Sequence, residues 1–120
     1  MATVLSGVSG AFYYKPAGTQ ATFGESDVTT GAGTSEINVG PNFNFQAGDP
    51  IKFTFRNTQD GSVGTGTLPA PLSAATTYYV LTYDNSTGAL TFSASAGGAE
   101  VDLTDDGTVA APNKFEVFYA

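Results

Sequence analysis

Along most of this chain apolar side chains return at every second position, the period of a β-strand rather than a helix. Ile37 and Val39 flank Asn38, Phe43 and Phe45 bracket Asn44, and Ile51, Phe53 and Phe55 alternate with Lys52, Thr54 and Arg56. Tyr79, Leu81 and Tyr83 share one face of a run whose other face carries Tyr78, Val80 and Thr82. Leu90 and Phe92, then Val101 and Leu103, then Phe115, Val117 and Tyr119 continue the pattern. Successive strand side chains point to opposite faces of a sheet, so each set can line one core. No window shows helical spacing of apolar residues, and Glu, Lys, Gln and Leu are scarce beside Thr, Gly, Ala, Phe, Tyr and Val. The expectation is an all-β chain, a small antiparallel β-sandwich or partly open β-barrel of about seven strands. Its 120 residues suffice for one domain that buries a core without disulfides, and there is no Cys to form one.

Turn chemistry marks the strand ends. Ala47-Gly48-Asp49-Pro50 separates the Phe43/Phe45 run from the Ile51 run, and Ala96-Gly97-Gly98-Ala99 and Thr104-Asp105-Asp106-Gly107 punctuate later ones. Asp84-Asn85-Ser86-Thr87-Gly88 is the clearest hairpin, with Gly88 in a left-handed position. From Asn57 to Pro71 runs a long loop, whose alternate prolines Pro69 and Pro71 predict a polyproline-like path pinned by Leu68 and Leu72. Residues 1–35 differ from the β-sandwich domain expected over 36–120. Only Phe12-Tyr13-Tyr14 is strongly apolar there, and two readings stand: a strand plus loops completing the same domain, or an extended arm that orders on a neighbouring subunit. The strand Phe115 to Tyr119 has only Lys114 and Glu116 to protect an edge, so it should be covered by its own N-terminus or by a partner. Met1 to Leu5 lacks a basic region and a long apolar stretch, so neither a cleaved signal peptide nor a bilayer span is expected.

Missing residue types exclude much chemistry. Without His or Cys there is no imidazole or thiolate nucleophile and no zinc-finger site. Four Lys+Arg against eleven Asp+Glu give a net charge of −7, which argues against binding a phosphate track. Asp102, Asp105 and Asp106, with Glu100 nearby, form the densest acidic cluster; calcium is one reading, but the spacing is not that of an EF-hand and Asp-Asp-Gly is also an ordinary turn. Nothing places two acids in a cleft for glycoside hydrolysis, and Gly61 to Thr67 lacks the Lys of a phosphate-binding loop. Most of the fifteen Phe and Tyr fall on the alternating core positions. Phe12, Tyr13, Tyr14 and Tyr78 are the candidates for an exposed contact surface, because aromatic residues bury much area at little entropic cost. No catalytic residue, cofactor or metal is expected.

One stretch carries a resemblance. Phe45-Gln46-Ala47-Gly48-Asp49-Pro50-Ile51 leads to Gly66-Thr67-Leu68-Pro69-Ala70-Pro71-Leu72, then Thr77-Tyr78-Tyr79-Val80-Leu81, a hairpin, Leu90 to Ser95, and Val101 to Thr108. This order resembles a β-module of structural proteins in tailed double-stranded DNA bacteriophages, over residues 43–109 or so. The resemblance implies a virion component without catalytic residues. A −7 subunit repeated over a shell is repelled from packed DNA inside and tolerated outside. The expected function is therefore a capsid decoration, or cement, protein on the head exterior, made in the host cytoplasm. Its partners would be the major capsid protein and copies of itself, with no nucleic acid, membrane or small-molecule substrate. The alternatives are a tail tube, baseplate or fibre component, or a carbohydrate-binding adsorption module.

Overall fold

The computed structural model describes residues 20–120, and the strands it contains are β1 (Gln20–Phe23), β2 (Val28–Thr29), β3 (Glu36–Asn38), β4 (Pro50–Asn57), β5 (Tyr78–Tyr83), β6 (Ala89–Ser93) and β7 (Asn113–Tyr119). All pair antiparallel in one open sheet of order β1-β7-β4-β5-β6-β3-β2. A single 3-10 turn, Glu25–Asp27, is the helical element among the described residues.

Connectivity forces this sheet to curl. β1 and β2 are its two opposite edges, yet only four residues separate Phe23 from Val28. Six inter-strand spacings in a flat sheet would hold the edges roughly 29 Å apart. Five residue steps reach at most about 18 Å even when fully extended. The edges must therefore approach each other, and the concave face becomes the core. That short link is itself locked: Asp27 N donates to Gly24 O at 3.1 Å while Gly24 N donates to the Asp27 carboxylate at 2.8 Å.

The concave face collects Ala21 and Phe23, Ile51 and Phe53, Tyr78 and Val80, Leu90 and Phe92, and Phe115, Val117 and Tyr119, all buried. Rings interlock across strands, with Phe53 against Phe23 (6.2 Å between centroids), Tyr78 (5.6 Å) and Phe92 (5.0 Å). The mouth is closed by two connecting segments that pair through Thr67 and Thr108, whose N–H and C=O groups exchange two 2.8 Å bonds. Leu68, Pro69 and Leu103 from these segments complete the core. The buried Ser35 hydroxyl accepts from Leu103 N at 2.7 Å, and Gly31 N donates to Leu103 O at 3.0 Å, so the cover is tied to the β2–β3 turn.

β3 to β7 fall on runs whose alternation marks them as strands. Two other expected strands are loops. Asn42 and Asn44 take φ of 70° and 60°, a left-handed backbone that no extended strand accommodates, although Phe45 still buries itself in the core. Val101 N donates to Phe92 O and Leu103 is buried, but 101–103 joins no strand ladder. Their places in the sheet are taken by β1 and β2, whose alternation is too short to stand out. β7 is flanked by β4 on one side and by β1 on the other, so its own chain covers it. The proline segment also departs from expectation: Leu72 N donates to Pro69 O at 2.9 Å and the Ala70–Pro71 peptide is cis, making a turn rather than a polyproline path.

Candidate functional site

Of the four aromatic contact candidates, Phe12, Tyr13 and Tyr14 lie outside the described residues. Tyr78 is buried, at 4% exposure, and does not form a contact surface. Its ring packs edge-on against Phe53 and Phe92, and its hydroxyl accepts from Ser73 N at 3.0 Å. The physical reason is a bulge. The β5–β6 register runs Val80↔Phe92 and then Thr82↔Thr91, leaving Leu81 as the extra residue. Tyr78 and Val80 therefore face the core before the bulge and Tyr83 faces it after, opposite Leu90. Strict alternation through Leu81 assigns Tyr78 to the wrong face.

The remaining rim tyrosines also serve the fold. Tyr83 donates to Gly40 O at 2.6 Å and accepts from Phe43 N at 3.1 Å, clamping the loop before β4. Tyr119 donates to Phe43 O at 3.4 Å, and burial, then the charge of Asp49 and the neighbouring Tyr83, push its pKa up to about 12.

Acids in the predicted cluster are spread over separate backbone contacts. Asp105 accepts from Ala70 N at 3.0 Å and Gly107 N at 2.9 Å, which hold its carboxyl below the usual value. Asp102 accepts from Gly33 N at 3.3 Å. Asp84 and Asp60 are lowered chiefly by the hydroxyls of Ser86 and Ser62, each inside its own turn. Among the described residues no three His, Cys, Asp or Glu side chains gather where a metal ion could sit. An open groove of about 380 Å³ runs between the 3-10 turn and the start of β7. Glu25 is the one carboxylate on its wall, and it already accepts from Val109 N at 2.7 Å, so the groove offers no carboxylate pair.

A different surface emerges on the convex side of β1, β7 and β4. Lys52↔Phe118, Thr54↔Glu116 and Arg56↔Lys114 are cross-strand pairs there, with Thr22 opposite Glu116 on β1. All three Lys and Arg among the described residues lie in this patch, and Glu116 is the one acid on the three strands β1, β4 and β7. Glu116 is 5% exposed and is paired with Arg56, whose Nε donates to it at 2.7 Å; Arg56 also donates to Gly61 O at 3.0 Å. Phe118 and Tyr79 stand half-buried on the same convex side. The alternation of Lys52 and Arg56 with core residues is readable from sequence, but nothing local says that Lys114 stands beside them.

No family model matches this chain, and neither curated proteins nor solved structures give a match.

Proposed function

We propose that this chain is a bacteriophage virion structural protein, a capsid decoration protein that binds the outer head surface and holds neighbouring capsid subunits together. The observation that carries this reading is the position of β1. Among the described residues it is an edge strand of four residues without a charge, and the segment that holds Phe12, Tyr13 and Tyr14 precedes it in sequence. An edge strand that carries no charge pairs readily with a strand of another chain, and backbone hydrogen bonds supply the affinity. The net charge of −7 supports an outer rather than a DNA-facing position, since like charges repel at the inner wall. A packed aromatic core under a curled sheet suits a mechanical part, one that must keep its shape while bridging subunits. Binding the assembled shell more tightly than loose subunits stabilises the shell by mass action.

Virions assembled with and without the protein are heated while DNA release is followed by dye fluorescence. A lower release temperature without the protein is expected, and equal temperatures overturn the cement role. Immunogold labelling gives position: gold over the whole head agrees with the proposal, and gold at a small ring on the tail replaces it with the tail reading.

A further inference from the structure

Beyond that reading, and independently of it, we infer that the convex face of β4 and β7 docks a second copy of this chain through the acid-rich segment around Glu100 and Asp106. The inference begins from how charge is distributed. Lys52, Arg56 and Lys114 converge on two adjacent strands, and Glu116 cancels one of them, leaving a locally positive face on a chain of net charge −7. Chance scatter of so few cations over a surface does not favour such a cluster. Apolar area accompanies the charge: Phe118 lies directly across from Lys52, and Tyr79 sits across from Pro50 on the neighbouring strand pair.

Charge complementarity selects the occupant. The first nineteen residues contribute Lys15 and no acid, so they do not complement this face. Another copy does, because Glu100, Asp102, Asp105 and Asp106 crowd into seven positions of the covering segment. Of these, Asp102 and Asp105 are engaged with backbone N–H groups, which holds the segment in shape while Asp106 is exposed. Face and segment are different surfaces, so the contact is head-to-tail and produces a ring if its rotation closes or a stack if it does not. Complementary patches of this kind suppress wrong pairings and fix orientation.

The test is a charge swap in the full chain, read by sedimentation velocity at physiological salt. Lys52→Glu with Lys114→Glu reverses the face, and Glu100→Lys with Asp106→Lys reverses the segment. Wild type is expected to self-associate, each variant alone to weaken association about tenfold or more, and an equimolar mixture of the two to recover it as a mixed assembly in which the two variants alternate. Overall repulsion ranks them differently. The segment variant has a net charge of −7 + 4 = −3 and would then associate more strongly than wild type, not less. That ranking overturns the inference, as does wild type remaining monomeric at millimolar concentration or a mixture no stronger than its components. Lys114→Glu alone, at an exposed strand position, gives the same reading at smaller amplitude if the double variants fail to fold.

Discussion

Gly107→Ala separates two costs that are usually confounded. Gly107 has φ +72° and Gly97 has φ +71°, so an alanine at either site adopts the same left-handed backbone. That conformation costs an L-residue about 1–2 kcal/mol, offset by about 0.4–1 kcal/mol because alanine restricts the unfolded chain. Gly97 has nothing within 4 Å of an added Cβ, so Gly97→Ala should lose about 1 kcal/mol from strain alone. At Gly107 the Cβ would sit 2.5 Å from Thr67 O, 2.7 Å from Pro69 N and 2.9 Å from Leu68 C, all backbone atoms of the partner segment. That segment must retreat, which breaks the paired Thr67–Thr108 hydrogen bonds and lifts Leu68 and Pro69 from the core. Two hydrogen bonds at about 1 kcal/mol each, with about 1 kcal/mol or more for repacking, bring the loss to about 3–5 kcal/mol. Urea unfolding followed by circular dichroism measures both. With a slope of about 1.5 kcal/mol/M, the midpoint should fall by about 0.7 M for Gly97→Ala and by about 2 M or more for Gly107→Ala. Losses equal within about 0.5 kcal/mol would refute the claim that the two covering segments are held in close register.

Three further outcomes follow from the same geometry. Phe53→Ala, which empties the centre of the aromatic cluster, should lose about 3–5 kcal/mol and lower the melting temperature by about 15 °C or more; a shift under 5 °C by calorimetry would show that the site collapses without cost. Asp105 titrates below 3.8 when folded, so its contribution is present above that value and disappears as pH falls through the lowered one. Asp105→Asn should therefore trail wild type in urea midpoint at pH 7 by a gap that narrows as pH falls below 3.8, and a gap that stays constant in acid contradicts the carboxylate's role. Tyr119 behaves oppositely: its folded pKa of about 12 lies above the unfolded 10.0, so its contribution is intact below pH 10 and is lost as pH climbs through 12. Stability profiles of wild type and Tyr119→Phe should diverge only in that alkaline window.

Legibility of the fold varied with the distance over which each decision is made. Ile51, Phe53, Phe115 and Val117 announce their face through immediate neighbours, and the Asp84–Gly88 hairpin announces itself through turn chemistry, with Gly88 at φ 92°. Phe43 and Phe45 carry the same local signal, yet the left-handed Asn42 and Asn44 make that segment a loop. The Leu81 bulge illustrates the point most directly for the site. It is a property of how β5 meets β6, invisible in β5 alone, and it carries Tyr78 from the surface to the core.

By itself, then, the chain's order of residues determined that it makes strands and which side chains most of those strands bury. Tertiary structure decided which strands are neighbours. It placed β7 between β1 and β4, and so brought Lys114 beside Arg56 and Glu116 beneath it. A period of two is set by sterics between adjacent residues and is written along the strand. The choice of partner strand closes loops of tens of residues and is settled only when the whole core packs at once.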